Sequence, residues 1–129
     1  MIYNKLIFIA LSMMFCHIVD DYYLQGCLAN LKQKNWWKKN ASDEMYKNDY
    51  KMALFCHSFS WSFMIMLPLM IASSFALGWL WIALPINCLI HMLVDDAKAN
   101  RHKINLWQDQ SIHFIQISIT FALFVIFIV

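Results

Sequence analysis

Hydrophobic residues in this chain come in four long runs, with no alternation. Approximately Ile2 to Val19, Met52 to Ala72, Phe75 to Val94 and Ile112 to Val129 are mostly apolar, and each has roughly the 17–25 residues a helix needs to cross a bilayer. None follows the period of two that marks the strands of a membrane barrel. The runs are therefore read as helices, which satisfy their backbone groups internally. The pattern predicts an all-α integral membrane protein, an antiparallel bundle of four transmembrane helices over about 2–31, 50–72, 75–98 and 109–129. Residues about 32–49 and 99–108 are read as loops, and 1–129 as a single membrane domain. Pro68 and Pro85 fall inside the second and third runs, where a membrane bundle tolerates a kink.

Composition supports this class. Hydrophobic residues are 61% of the chain and charged residues 14%, where soluble domains average about 45–50% and about 25%. Lys5 and the "LQGC" at 24–27 imitate a lipoprotein signal. However, His17, Asp20 and Asp21 interrupt the stretch over which a signal's apolar region runs up to its cleavage point, so the run is read as a retained helix. Cys16, Cys27, Cys56 and Cys88 show no CxxC spacing and are read as reduced packing residues. No nucleic-acid motif is present, and membrane lipid is the expected surrounding partner.

Charge gives an orientation. Lys32, Lys34, Lys38, Lys39, Lys47 and Lys51 lie between the first two runs, and Lys98, Arg101 and Lys103 lie between the last two. The "ASSFALG" connection carries no charge. By the positive-inside rule the two basic loops are cytoplasmic, with both termini outside an inner membrane. Trp36, Trp37, Trp79 and Trp107 suit an aromatic belt. Segment 30–51 is read as a solvated, partly helical loop, or else as a surface helix resting Trp36 and Trp37 in the headgroups.

The polar residues at the run ends are more specific. His17, Asp21 and Gln25 end the first run, His57 opens the second, His91, Asp95 and Lys98 end the third, and Asp109, Gln110 and His113 open the fourth. In an antiparallel bundle all four ends share one side. At about 100° per residue, His17 and Asp21 lie about 40° apart on one helical face, as do His91 and Asp95, and Asp109 and His113. Asp20 and Asp96 point about 60° and 140° from their histidines, so they are expected to meet water or headgroups. A weak repeat, "FCH" at 15–17 and 55–57, suggests two related hairpins. Cys16 and Cys56 lie off the polar face, and His102 is read as a surface loop residue.

An ionisable group at a helix centre costs about 2.5–3.5 kcal/mol on insertion scales, so a set gathered on one face points to function. Imidazoles and carboxylates together suit Zn, Mn or Fe. His17, Asp21, His57, His91, Asp95, Asp109 and His113 are the expected ligands of one or two divalent ions. Lys98, Gln25 and Gln110 are expected to orient an anionic substrate or the ligands.

At these residues the chain resembles the small bacterial and phage membrane proteins catalogued as domain of unknown function 3307. The pattern stands here as "HIVDDYYLQ" at 17–25, His57, "HMLVDDAK" at 91–98 and "DQSIH" at 109–113, and it covers essentially the whole chain. The resemblance implies a multi-span protein and this residue set, and brings no activity with it. The expected function is a metal-dependent hydrolase with a site at the cytoplasmic side, acting on a lipid-linked or headgroup phosphate or ester. The alternatives are a metal-ion or proton conduit and a non-enzymatic phage or bacterial factor that binds a host component.

Overall fold

Helices make up all the regular structure in residues 2–76 and 78–128, the residues that this computed structural model describes. Helix α1 (Ile2–Ile18) runs directly into a π-helical turn at Val19–Leu24. Two short helices follow, α2 (Leu28–Leu31) and α3 (Lys34–Asn40), and then a 3-10 turn at Glu44–Tyr46. Three long helices complete the chain: α4 (Asp49–Ala72), α5 (Trp79–Ala99) and α6 (Leu106–Ile128). Four segments, Ile2–Leu24, Glu44–Ala72, Trp79–Ala99 and Leu106–Phe127, are long and apolar enough to cross a membrane.

The long helices form an antiparallel bundle around α4. Its buried residues come as adjacent pairs four apart: Ala53 and Leu54, His57 and Ser58, Trp61 and Ser62, Ile65 and Met66, Leu69 and Met70. That spacing keeps one broad stripe inward along the whole helix. Half of the apolar window ending in α4 is buried within the fold, against 17% for the first segment and 28% for α5 and α6. The outer faces of α1, α5 and α6 are thus left to their surroundings. Met13, Trp61, Ile65, Met66, Leu69, Met70, Leu80, Ile117 and Phe124 form the apolar core. The buried histidines and acids lie toward the end where α1 and α5 finish and α4 and α6 begin.

Three boundaries differ from the sequence reading, each for a local reason. The first helix does not continue to about residue 31. Its π turn ends at Leu24, and Gly26, at φ +47°, turns the chain before α2 begins. The third helix starts at Trp79 because Ser74 and Phe75 take positive φ while the Phe75 N–H donates to the Met70 carbonyl at 2.8 Å, which closes α4. The fourth starts at Leu106 through a reciprocal cap. The Gln108 N–H donates to Asn105 Oδ1 and the Asn105 N–H to Gln108 Oε1, both at 3.0 Å, satisfying two donors at the helix start. His102 is indeed an exposed loop residue, and its positive φ of 52° lets the Lys103 N–H reach back to the Ala97 carbonyl at 2.9 Å. Cys27 and Cys56 are exposed, so of the four cysteines only Cys88 is buried, with Cys16 half-buried.

Gly26 is the hinge between the first long segment and α2. A Cβ there would meet nothing closer than the Leu24 carbonyl at 3.8 Å, so the cost of substitution lies in the backbone conformation. Gly26→Val is expected to destabilise the fold by about 1–2 kcal/mol, read as a lower thermal midpoint in detergent. Gly26→Asn should recover much of that loss, because Asn tolerates the left-handed region.

Candidate functional site

The π turn sets the first half of the site. Its i→i+5 bonding, seen in the Gln25 N–H reaching the Asp20 carbonyl at 3.1 Å, widens the turn and reduces the rotation per residue. Asp20 and Asp21 consequently both face inward, 1% and 6% exposed. The sequence expectation that Asp20 meets water or headgroups is overturned: Ser60 Oγ donates to its Oδ1 at 2.5 Å, and its Oδ2 faces His57 Nδ1 at 3.8 Å. Asp96 does lie outside the cluster, bound by Arg101 at 2.6 Å and by Asn100.

Six of the seven expected ligands converge. His57 Nε2 lies 3.2 Å from His91 Nε2, 3.3 Å from Asp21 Oδ1 and 3.3 Å from Asp95 Oδ2. His113 Nε2 lies 3.6 Å from Asp95 Oδ1 and 3.5 Å from Asp109 Oδ1. Two donors held by one tetrahedral ion at about 2.0–2.1 Å are separated by roughly 3.3 Å, so these spacings are compatible with a shared ion. Three overlapping triads result, namely Asp21, His57 and His91; His91, Asp95 and His113; and Asp21, Asp109 and His113, each with its ligand atoms within 4.8 Å of one another. Asp95 presents Oδ2 to His57 and Oδ1 to His113. His113 Nε2 and Asp109 Oδ1 are buried without hydrogen-bond partners, a costly state for polar atoms that a cation would relieve.

Donors hold Oδ2 of Asp21, Asp95 and Asp109, and Asp95 Oδ2 also faces His57. Lys32 Nζ lies 2.6 Å from Asp95 Oδ2, Lys98 Nζ lies 2.6 Å from Asp109 Oδ2, and Gln110 Nε2 donates to Asp21 Oδ2 at 2.9 Å. Gln110 also donates to Asp109 Oδ2 at 3.0 Å. Lys98 and Gln110 thus both contact carboxylates of the cluster. Gln25 does not: its amide nitrogen donates to the carbonyl of Asp21, one turn back on its own segment.

His17 is the expected ligand that the structure removes from the set. Trp61 Nε1, which can only donate, reaches His17 Nδ1 at 2.7 Å. The proton of a neutral His17 must then sit on Nε2, which faces Gln110 Oε1 at 3.1 Å. Both ring nitrogens are thus engaged, and the result is a directed chain from Trp61 through His17 and Gln110 to two carboxylates. Trp61 also stacks on His91, centroids 4.1 Å apart, and His91 on His113 at 4.2 Å.

Lys32, Trp61, Ser60 and Asp20 are the site residues that sequence reasoning missed. In the sequence Lys32 reads as one of the topology-setting lysines, and Trp61 as part of the apolar run. A usable signal for Trp61 existed, since it stands four residues after His57 and so shares its helical face. Comparison with protein-family models, with curated proteins and with solved structures finds no match for this chain.

Asp20 Oδ2 faces His57 Nδ1 at 3.8 Å, longer than a hydrogen bond; a carboxylate that closes on a metal-bound histidine from this side is worth about 10–100-fold in metal affinity. Asp20→Ala is expected to weaken zinc binding by about that factor, measured by competition with a chelating indicator. Asp96→Asn should bind zinc as the unaltered protein does.

Proposed function

We propose that this chain is a multi-pass membrane protein with a His/Asp metal centre near one end of its helix bundle, and that it acts as a metal-dependent hydrolase. The observation that carries this reading is the convergence of three imidazole Nε2 atoms on three buried carboxylates at separations of 3.3 to 3.8 Å. With neutral imidazoles and ionised acids, Asp20, Asp21, Asp95 and Asp109 carry four negative charges against two positive ones from Lys32 and Lys98. A divalent cation balances that excess, and nitrogen and oxygen ligands without sulfur suit Zn, Mn or Fe. Asp21, His57, His91, Asp95, Asp109 and His113 would hold one or two such ions.

A bound divalent ion supplies Lewis acidity and lowers the pKa of a water to near neutrality. The chain's own residues do the rest. Gln110, fixed by the Trp61–His17 relay, holds Asp21 and Asp109 in place. Lys98, whose side chain is 35% exposed while its partner Asp109 is fully buried, stands where the cluster meets the outside. It is suited to pair with oxygens of a phosphate or ester and to stabilise the charge that develops on them. The exposed apolar faces of the long helices put this chemistry near headgroup depth, which supports a lipid-linked or headgroup substrate. The basic segments that flank the site support a cytoplasmic-side location in an inner membrane, both termini outside. The motif set supports kinship with the domain of unknown function 3307 proteins.

One observation favours the conduit reading. Asn87, Gln116 and Thr120 form a buried hydrogen-bonded group that extends the polar zone deeper into the bundle. Farther along, the apolar core from Ile65 to Met70 together with Leu80 and Phe124 closes the path, and this supports a one-sided pocket.

Metal analysis of the purified protein tests the proposal. One or two equivalents of Zn, Mn or Fe are expected, with loss of phosphate- or ester-hydrolysing activity on chelation and recovery on readdition. Asp95→Asn should abolish metal retention while the protein still inserts and elutes as a folded species. Retention of metal by this variant would contradict the ligand assignment. For orientation, Asn40→Cys is expected to react with a membrane-impermeant thiol reagent only after the cells are opened.

A further inference from the structure

A groove runs between α5 and α6 beside the cluster, with a volume of about 380 Å³. Its walls are two rows of isoleucine, Ile82, Ile86 and Ile90 on α5, and Ile112, Ile115 and Ile119 on α6. Successive members are three or four residues apart, so each row lines one side of its helix. β-branched side chains hold a single rotamer in a helix, which gives the groove stiff, preformed walls. Ile82, Ile86, Ile115 and Ile119 are more than half exposed, so the groove opens outward, toward lipid in a chain with helices long enough to span a bilayer.

Three polar residues border this apolar groove from beneath, which a surface for bulk lipid does not require. Asn87, Gln116 and Thr120 line it. Gln116 is 94% buried, its Nε2 donates to the Asn87 carbonyl and to Asn87 Oδ1 at 2.8 Å each, and its Oε1 has no hydrogen-bond partner. The amide cannot be turned to hide this acceptor, because both Asn87 contacts require the nitrogen. A lone buried acceptor in an apolar setting calls for a donor. Its position is informative: Asn87 precedes His91 by four residues and Gln116 follows His113 by three, so the acceptor lies about one helical turn below the His/Asp cluster.

We propose that this groove holds one alkyl chain of an amphiphile, whose hydroxyl or amide N–H donates to Gln116 Oε1 and whose phosphate or ester end reaches the His/Asp cluster. The reacting end rests on the hydrolase reading; the chain site does not. A helix from a second copy fits less well, because its backbone donors are consumed by its own i→i−4 bonds. An amphiphile has its donor where hydrocarbon meets headgroup, and Gln116 lies between the wall residues Ile82, Ile86 and Ile119 and the metal-capable cluster.

The test is photolabelling in detergent with a monoacyl glycerophosphate that carries a diazirine in its acyl chain, mapped by mass spectrometry, with zinc content measured on the same samples. Label is expected on residues 82–90 and 112–123. Ile86→Trp, an exposed wall position, should reduce it about tenfold by keeping two or so methylenes out of the groove, while leaving zinc content unchanged. Leu11→Trp, on the exposed face of α1, should leave both unchanged. The same chain presented as a fatty-acid methyl ester, which lacks the hydroxyl, should label more weakly. Label spread over the exposed faces of all four long helices, label indifferent to Ile86→Trp, or a cross-linked helix of a second copy in the groove would each overturn the proposal. Localised, Ile86-sensitive label on protein that binds no metal would keep the chain site and overturn the hydrolase reading. Bound metal with dispersed label would overturn the groove alone.

Discussion

Asp95, 2% exposed, sits among a lysine and three imidazoles: Lys32 at 2.6 Å, His57 at 3.3 Å, His113 at 3.6 Å and His91 at 3.8 Å. These partners come from four separate parts of the chain, the loop-side end of α2 and the helices α4, α6 and α5. A carboxylate placed so deep is stable only if its charge is met, since removing one partner of a buried pair costs about 3–5 kcal/mol. Meeting that charge pins the basic segment after Gly26 over the polar end of the bundle. Asn100 reinforces the pinning, donating to the Lys32 carbonyl at 3.1 Å and accepting from the Lys34 N–H at 2.7 Å. The same demand draws three imidazoles to one point. The topology at this end is thus tied to electrostatic compensation of Asp95 and its neighbours.

Rigidity around the cluster comes from the next layer of contacts. Trp61 packs flat on His91 and directs the proton of His17, and His17 in turn fixes which end of the Gln110 amide meets the carboxylates. Asp21 and Asp109 each keep one oxygen for an imidazole and have the other held by an amide or a lysine, while Asp95 meets imidazoles with both oxygens and Lys32 with Oδ2. That division is what a preorganised metal centre requires, because donors whose orientation is fixed in advance lose little freedom on binding.

The sequence made much of this legible. Four apolar runs correspond to the four long helical segments, since hydrophobic length alone specifies them. Six of seven candidate ligands converge because the i, i+4 spacing of His91 with Asp95 and Asp109 with His113 fixes a shared face on a regular helix. The failures all occur where the helix is not regular or where a residue serves two roles. Asp20 was placed outward by a rotation of 100° per residue, which the π turn at Val19–Leu24 does not obey. His17 has the right spacing from Asp21, but Trp61 and Gln110 occupy both its nitrogens, and no local pattern reveals a partner 44 or 93 positions away. Lys32 looked like one of several loop charges, and only the turn at Gly26 brings it back over Asp95.

X-ray absorption at the zinc edge of zinc-loaded protein tests the central claim most directly. The account predicts a first shell of nitrogen and oxygen only, with the outer-shell scattering of two or three imidazoles, lost in Asp95→Asn. A shell containing sulfur from Cys16 or Cys88, or a spectrum of hydrated zinc without imidazole scattering, would contradict it.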